Sequence, residues 1–545
     1  MKYWLISLPV VLLGALTSNA YALPLPQAAD PAGRERDLLR REQTLQERRQ
    51  LQQREEQSVA PAEVVGDPAE GPSFVLNSVR FTQSELFTPE ELRAIVLPYL
   101  GKETRLSDLN RMVAEINQAY KGKDIYTATA LLPKQDVTGG VVIIRLVEGK
   151  LGEMLVEGNS YVPDPYVRGW LTFPENQTLV DINALESDIL EFNRVNDARL
   201  QAELRAGKDF GLTDIVVVVD EPLQNNVQLF LDNYGYASSG ENEVGAIYRR
   251  QGVFTGNDRG LLYALASDGN QAFTAIYSAP VKTSRWRLGG SLAINQSEVT
   301  EGDFKDLSVE GDSTSITLDA SWLAISTPRF WVNALGSAMH SNSATSVLGE
   351  DISDYKINKL NTGAQLTWLG SGWQLSARQL VGWVSTQNQS ANSGDQSFAL
   401  LTGDMSGYYR PGQSNWYGLM QMDYQYTNEE ALPGAVSYSI GGPTSIRGYA
   451  PGLISGDYGI QSSLESHYSG LRALGGDLDP FAFYDVGTVY SKNPTQTPQA
   501  AGVGLGWTGV KGFAVNMTYA NALATILPDQ DDWVFYARLS WEWGR

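Results

Sequence analysis

The chain has 545 residues, no cysteine, and 62 acidic against 41 basic side chains, which gives a formal net charge of −21. This length predicts more than one folded unit. The lack of thiols excludes disulfide scaffolds and cysteine nucleophiles, and the acidic balance argues against nucleic-acid binding, which needs a basic surface. The two histidines, His340 and His467, leave almost no material for a histidine-based metal site or triad. Charged residues make up 19%, below the roughly 25% of an average soluble domain.

Residues 1–22 have the pattern of a secretory signal peptide. Lys2 gives a positive start, an apolar stretch runs from Tyr3 to Leu16, and Ala20-Tyr21-Ala22 supplies a small-x-small cleavage site. The apolar stretch is too short to span a bilayer, and no later apolar run approaches the ~18 residues of a spanning helix. If the protein lies in a membrane, we therefore expect it to cross as β-strands.

Residues 23–57 are predicted to form an N-terminal helix, and residues 58–72, rich in Pro, Ala, Glu and Gly, a flexible linker. Between positions 30 and 57, seven acidic and seven basic side chains intermingle. A helix that is polar all round either lies in water, alone or as a short coiled coil, or occupies a polar cavity. The residues alone leave both possibilities open. The charged residues of interest are Arg36, Asp37, Arg40, Arg41 and Arg48.

Two similar units follow at residues 73–149 and 150–222. Each is predicted to contain a strand, two helices and two further strands, so the order β-α-α-β-β occurs twice. This internal repeat resembles tandem POTRA domains, which are the periplasmic modules that precede outer-membrane barrels.

Residues 223–545 contain short stretches that alternate apolar and polar side chains, separated by Gly, Asn, Asp and Ser. A secreted all-β protein or a transmembrane barrel would both produce this pattern. The signal peptide and the Trp and Tyr residues at strand ends favour the barrel. Sixteen strands would give about 20 residues per strand and connection, which suits spanning strands of ~9–11 residues. We predict an all-β transmembrane barrel of 16 antiparallel strands, preceded by a helix and two α+β domains.

One match to a nucleotide-binding motif is rejected because of its structural context. Residues Gly504 to Gly509 fit the dinucleotide fingerprint letter for letter, but a strand follows them where that fingerprint needs a helix. These glycines are interpreted as small inward residues on barrel strands. Ser466 and His467 are adjacent on a strand and point to opposite faces, so they cannot cooperate. An enzyme is not predicted.

One constellation does indicate function. Arg447, Gly448 and Tyr449 lie in a long loop rich in Gly and Pro, and a strand carrying Glu465 follows. Further along, Phe483 and Asp485 share one face of an alternating strand. A guanidinium on an in-folded loop would match such a carboxylate with two parallel hydrogen bonds and hold the loop inside the lumen.

These motifs resemble the Omp85 superfamily. The N-terminal helix, the pair of POTRA-like units and the barrel-sized remainder are similar to the TpsB transporters of two-partner secretion, of the contact-dependent-inhibition (CdiB-like) type. The resemblance implies that the helix at 23–57 plugs the pore and that the Arg447 loop folds inward against Asp485. It also implies a location in the outer membrane of a Gram-negative bacterium, with the POTRA domains in the periplasm. Members of the family usually end on an aromatic residue, whereas here the last aromatic is Trp543.

The predicted function is therefore that of a pore for a large TpsA-type exoprotein of the toxin, adhesin or haemolysin class. The POTRA pair would capture the unfolded partner, the helix would vacate the pore, and the partner would thread outward. The other expected partners are outer-membrane lipid and the barrel-assembly machinery. The protein is expected to act as a monomer without cofactor or metal. An Omp85-type insertase that assembles other barrels is the main alternative, and a plain porin is a weaker one.

Overall fold

The computed structural model describes Pro31, Arg34 and residues 73–544, apart from residues 85, 124–127, 134, 136, 138, 149, 173–181, 207, 209–211, 390–394, 492–495 and 527–529. The predicted signal peptide, the linker and the plug residues Arg36, Asp37, Arg40, Arg41 and Arg48 lie outside the described residues. No helix in the described part of the chain is long and apolar enough to cross a bilayer.

The first α+β domain packs two helices against a three-stranded sheet of order β2-β5-β4, and β1 and β3 form a separate pair. Its elements are β1 (Phe74–Val75), β2 (Ser78–Phe81), α1 (Pro89–Val96), β3 (Glu103–Thr104), α2 (Leu106–Gly122), β4 (Ala128–Leu131) and β5 (Val141–Glu148). Helix α1 begins at Pro89 because Thr88 and Glu91 form a capping box: the Thr88 hydroxyl accepts the N–H of Glu91, and the Glu91 carboxylate accepts the N–H of Thr88.

The second domain repeats the same order, with a sheet β6-β8-β7. Its elements are β6 (Lys150–Glu157), α3 (Asp164–Trp170), α4 (Ile182–Val195), β7 (Arg199–Ala206) and β8 (Leu212–Asp220). In both domains the first sheet strand runs parallel to the last strand, and the remaining strand runs antiparallel to it. The predicted α+β fold of the two units is confirmed.

Sixteen antiparallel strands then close into a barrel, which confirms the predicted architecture. They are β9 (Asn225–Asp232), β10 (Glu243–Gln251), β11 (Arg259–Ser267), β12 (Asn270–Pro280), β13 (Trp286–Glu298), β14 (Glu310–Ser326), β15 (Phe330–Val347), β16 (Glu350–Gly370), β17 (Trp373–Asn388), β18 (Gln396–Tyr409), β19 (Trp416–Tyr426), β22 (Tyr458–Tyr468), β24 (Gly476–Tyr490), β25 (Gln499–Thr508), β26 (Phe513–Ala522) and β27 (Trp533–Gly544). Three short strands lie in connections: β20 (Tyr438–Ile440), β21 (Ile454–Gly456) and β23 (Leu471–Ala473).

The side chains of the barrel strands alternate between the outer surface and the lumen. On β27, Trp533, Phe535 and Leu539 are exposed, whereas Tyr536 and Arg538 are buried on the inner face. Apolar side chains on the outside suit contact with lipid, and polar side chains on the inside suit a wet lumen. The low fraction of charged residues in the chain follows from this outer surface.

The first and last strands close the barrel over seven residue pairs, from Arg538 opposite Asp232 to Gly544 opposite Asn226. Inside this seam, Arg538 Nη1 lies 3.4 Å from Asp232 Oδ2, and both side chains are buried. The Arg538 guanidinium also lies over the ring of Phe230, 3.9 Å from its centre. This buried ion pair joins the first and last strands of the barrel.

The second domain packs on one end of the barrel. Asp197, just after α4, accepts from Arg287 at 2.8 Å and from Arg259 at 2.6 Å, and these arginines lie on β13 and β11. Leu323 of β14 is buried in the apolar core of the second domain. A β-bulge between Leu323 and Ile325 occurs at this point of the strand, and bulges commonly redirect side chains.

Candidate functional site: the lumen loop and its wall

Residues 427–457 connect β19 to β22 and fold into the barrel, with β20 and β21 forming a short hairpin at the stem. Apolar side chains of this lumen loop, among them Ile446, pack against Val489 of β24 and Ala500 of β25. Gly441 and Gly442 have φ angles of 112° and 99°, which only glycine adopts without strain. The loop closes through a hydrogen bond from the N–H of Gly442 to the carbonyl of Tyr449 at 2.9 Å.

Arg447 lies at the centre of the lumen loop and binds Asp485 on β24. Its Nε donates to Asp485 Oδ2 at 2.8 Å, and its Nη2 donates to Oδ1 at 2.7 Å. The backbone N–H of Arg447 also donates to Oδ2, at 3.1 Å. This is the two-point arrangement that suits a guanidinium and a carboxylate. The structure therefore brings the two predicted residues together.

A second carboxylate and an aromatic ring complete the contacts of Arg447. Nη1 donates to Glu465 Oε1 at 2.5 Å, and Nη2 donates to Ser463 Oγ at 2.9 Å. The guanidinium carbon lies 3.5 Å from the centre of the Phe483 ring, close enough for a cation–π interaction. Arg447, Glu465 and Asp485 are 3%, 6% and 0% exposed, so these charges interact with little screening by water. The loss of one partner from such a buried pair costs about 3–5 kcal/mol.

Gly448 and Tyr449 attach the lumen loop to the last strands of the barrel. A Cβ atom on Gly448 would lie 2.8 Å from the Ala522 backbone nitrogen and from Ala500 Cβ, so this position has no room for a side chain. The Tyr449 hydroxyl lies 2.8 Å from the carbonyl oxygen of Ala524. The carbonyl of Tyr449 accepts from the Tyr536 hydroxyl at 3.0 Å. The Arg-Gly-Tyr triplet thus contacts the wall from β22 to β27.

The glycines that match a nucleotide fingerprint have a packing role in this wall. A Cβ on Gly504 would come within 2.1 Å of the Phe481 ring, and one on Gly502 within 2.5 Å of the Phe483 ring. Both glycines lie on β25, directly opposite these two phenylalanines. Because these two glycines have no side chain, the rings of Phe481 and Phe483 can pack against β25, and the Phe483 ring lies beneath Arg447.

His467 is the residue of this site that sequence reasoning missed. Its Nε2 lies 2.9 Å from Glu465 Oε2, and its Nδ1 lies 3.0 Å from Asp479 Oδ2. Its neighbour in sequence, Ser466, points to the other face of the strand. The two-residue periodicity of a strand could have revealed this contact, because it places Ser463, Glu465 and His467 on the same face.

Two residues of the predicted N-terminal helix are described, and both are buried on the inner side of the barrel. Arg34 Nη2 donates to Ser239 Oγ at 2.6 Å, and the guanidinium lies 4.7 Å from the centre of the Tyr236 ring. The carbonyl of Pro31 accepts from Asn295 Nδ2 at 3.0 Å. Strands β9 and β13 both start at the end of the barrel on which the second domain packs. Tyr236 and Ser239 follow the last residue of β9, and Asn295 lies near the last residue of β13, so all three lie toward the opposite end of the barrel.

A comparison with protein families identifies the chain. A model of the haemolysin secretion/activation protein ShlB/FhaC/HecB family matches residues 211–509, more than half of the sequence. The chain belongs to this family. A model of the ShlB-type POTRA domain also matches residues 74–149, which form the first α+β domain. The resemblance to TpsB transporters that the motifs indicated is therefore confirmed.

Individual relatives agree with this assignment over nearly the whole chain. The protein is 23% identical over 530 residues to the outer membrane transporter CdiB of Dickeya dadantii, which covers 94% of this chain and 92% of the relative. It is 24% identical over 486 residues to the heme/hemopexin transporter protein HuxB of Haemophilus influenzae, covering 82% and 83%. The solved structure of CdiB from Escherichia coli superposes with a TM-score of 0.65 at 19% identity and covers 94% of this chain and 99% of that one.

The TpsB assignment confirms several predictions together. The protein is an outer-membrane transporter of two-partner secretion, with its POTRA domains in the periplasm, and it exports a partner exoprotein. The family consists of secretion pores, which confirms that the chain is not an enzyme. The end of the barrel that carries the second domain is therefore the periplasmic end.

Proposed function

We propose that the TpsB transporter exports a large unfolded exoprotein through its lumen, and that the Arg447 loop positions the path inside the barrel. The observation that carries this proposal is the buried contact of Arg447 with Asp485, Glu465 and Phe483. Because this contact fixes the lumen loop to one side of the wall, the remaining lumen can serve passage. The toxin, adhesin or haemolysin class of the partner is part of the proposal, and relatives named as hemolysin and heme/hemopexin transporters support it.

The test is export of a defined cargo. The chain is expressed together with a large TpsA-type exoprotein, sought first among the reading frames beside its gene, and exposure of that protein at the cell surface is measured by protease digestion of intact cells. Surface exposure should require the transporter and should be sharply reduced in the Arg447→Ala variant, although the barrel remains inserted. Export that proceeds equally well without the transporter would contradict the proposal.

We propose further that the POTRA domains, with boundaries at 73–149 and 150–222, capture the cargo by adding its extended segment to a sheet edge. In each sheet, an asparagine side chain from a helix accepts a hydrogen bond from a backbone N–H of one edge strand. Asn117 of α2 accepts from the N–H of Ala130 on β4 at 2.6 Å, and Asn193 of α4 accepts from the N–H of Leu200 on β7 at 2.7 Å. In the first domain β2 lies at the opposite edge, and we assign the cargo to it.

The direction of the backbone groups on β2 gives a specific test. The N–H groups of Ser78 and Thr82 donate to the carbonyls of Gly140 and Ile144. Because successive N–H groups of a strand point to opposite sides, the N–H of Val79 points away from β5, toward the open edge of the sheet. Val79→Pro removes this donor and should strongly reduce export. The control Asn117→Ala uncaps the other edge and should leave export close to wild type. Equal export by both variants would argue against capture at β2.

The N-terminal helix at 23–57 is proposed to plug the lumen until cargo arrives. The contacts of Arg34 with Ser239 and of Pro31 with Asn295 support a helix start that lies against the inner wall. A single hydrogen bond contributes only about 0.5–3 kcal/mol net, so a plug held by a few such contacts can leave the lumen. We also propose that the barrel, residues 223–545, acts as a monomer in outer-membrane lipid after insertion by the barrel-assembly machinery.

The Omp85-type insertase is the less supported alternative. An insertase that passes strands into the membrane would need to open the seam between β9 and β27. The seven paired residues and the buried contact between Asp232 and Arg538 favour a seam that stays closed. A disulfide between cysteines placed at 232 and 538 should therefore leave export intact, whereas an insertase would be blocked by it.

A further inference from the structure

His467 occupies a buried position between two carboxylates. The residue is 4% exposed. Its ring lies between the rings of Tyr417 and Phe481, at centroid distances of 4.6 and 4.7 Å and interplanar angles of 16° and 19°. Tyr417 and Phe481 are also its direct partners in the register of β19 and β24. The imidazole is therefore fixed in its plane, and its two nitrogens point along the wall.

The hydrogen-bond partners determine how many protons this ring carries. Glu465 Oε2 lies 2.9 Å from Nε2, and Asp479 Oδ2 lies 3.0 Å from Nδ1. Ionised carboxylates only accept hydrogen bonds, whereas a neutral imidazole has a single N–H. The two contacts are both satisfied when the ring is an imidazolium that donates from both nitrogens.

The same carboxylate that His467 contacts also binds Arg447. Glu465 presents Oε1 to Arg447 Nη1 at 2.5 Å and Oε2 to His467 Nε2. Asp479 in turn accepts from the Tyr417 hydroxyl at 2.6 Å. A continuous series of hydrogen bonds thus joins the lumen loop, through Glu465 and His467, to Asp479 near the periplasmic end of β24.

We propose that His467, as an imidazolium, is a positioning residue of the transporter: it bridges Glu465 and Asp479 and thereby holds Glu465 in place for Arg447. The charged and titratable groups that face it are Glu465 on its own strand, Asp479 on β24 and the Tyr417 hydroxyl on β19. Arg447 acts through Glu465, and Arg410 lies over the far side of Tyr417, 5.2 Å from its ring centre. When the ring loses its proton, one carboxylate loses its donor, so Glu465 holds the loop less firmly. Loop anchoring should weaken as pH rises.

A spin label on the lumen loop tests this inference directly. The chain contains no cysteine, so Thr444→Cys gives a single attachment site on the lumen loop. The label is followed by EPR in the full-length protein, reconstituted in lipid, from about pH 5 to about pH 9, which spans the roughly pH 5–8 in which histidines commonly titrate. We expect the mobile component to grow as pH rises. His467→Phe keeps the ring between Tyr417 and Phe481 but removes both N–H groups, so at all pH values it should show the larger mobile component that the wild type shows at high pH, without a pH step.

Two further variants separate this role from a structural one. His340→Phe alters the other histidine of the chain, which lies on β15 beside Asn358, and should keep the wild-type pH profile. His467→Gln retains a donor without charge and should show intermediate mobility without a pH step. An immobile loop in His467→Phe, or a pH step that persists in it, would overturn the proposal. The inference rests on the proposed role of the lumen loop, but its readout is loop mobility rather than export, so failure of one is distinguishable from failure of the other.

Discussion

Asp485 binds Arg447 at three points, through Nε at 2.8 Å, Nη2 at 2.7 Å and the backbone N–H at 3.1 Å. The carboxylate therefore recognises the backbone of the lumen loop as well as its charge. A loop that moved away from the wall would leave Asp485 buried without these donors, which is unfavourable in a region of low dielectric.

The first prediction concerns this contact. Arg447→Ala should leave the barrel folded and inserted but sharply reduce export, because it leaves buried carboxylates without their cation, which costs about 3–5 kcal/mol. Arg447→Lys should also impair export, since an ammonium cannot reproduce the two parallel hydrogen bonds. Surface exposure of cargo is the measurement, and heat-modifiable migration of the barrel on SDS gels checks folding.

Arg378 provides the matched control for Arg447. It is another barrel arginine, with its Nε 2.6 Å from Asp404 Oδ1, but its side chain and that of Asp404 are 34% and 33% exposed. Ion pairs of this exposure contribute little, so Arg378→Ala should export nearly normally. Normal export by Arg447→Ala would mean that the lumen loop is passive.

The second prediction concerns the space beneath the aromatic wall. Gly504→Ala should destabilise the barrel by about 1–3 kcal/mol, as over-packing typically does. The new Cβ would meet the Phe481 ring, which cannot swing away because His467 stacks on its other side. Gly506→Ala is the control, since its Cβ would meet no atom closer than 3.5 Å. Thermal unfolding in detergent should separate the two variants, and equal midpoints would contradict the packing role.

The third prediction tests the plug. Deletion of residues 30–57 should raise the conductance of the pore in planar bilayers. Asn295→Ala, which removes the donor to the Pro31 carbonyl, should raise the frequency of open events more modestly. Asn361→Ala is the control, because this amide donates to Ser337 of the neighbouring barrel strand. Unchanged conductance in the deletion variant would exclude the plug assignment.

The fourth prediction concerns the first POTRA domain. The Lys123 ammonium, 2.8 Å from Glu91, and the N–H of Thr88 lower the pKa of the Glu91 carboxyl. A carboxyl group with a lowered pKa stabilises the folded state above its ordinary pKa, and this stabilisation fades as pH falls toward the folded value. Glu91→Gln should therefore increase hydrogen exchange in α1 at neutral pH and approach wild type in acid. Glu90→Gln, in the same turn, is the control, and a difference that persists in acid would contradict the capping role.

The barrel and the POTRA repeat could be predicted because both are encoded locally. The period of two on β27 places Trp533 and Phe535 outside, and it requires no knowledge of any other strand. The pairing of Arg447 with Asp485 could be predicted from chemistry and from the TpsB resemblance, since the loop and the strand lie close in sequence.

Other parts of the site depend on register across strands, which a single sequence does not reveal. The ring of His467 is held between Tyr417 and Phe481, which lie on two different neighbouring strands. The fit of Gly504 to Phe481 likewise depends on the alignment of β25 with β24. The caps formed by Asn117 and Asn193 require the packing of a helix against a sheet edge, and neither asparagine occurs in a recognisable motif.

Leu323 lies on barrel strand β14, but its side chain packs in the apolar core of the second POTRA domain. A chimera that exchanged residues 150–222 between two TpsB transporters would place this leucine against a foreign core and would separate Asp197 from Arg259 and Arg287. The unit that can be exchanged intact therefore does not end at the domain boundary. It includes the periplasmic ends of β11, β13 and β14, so an exchange of the second domain should carry with it the part of the barrel on which the domain rests.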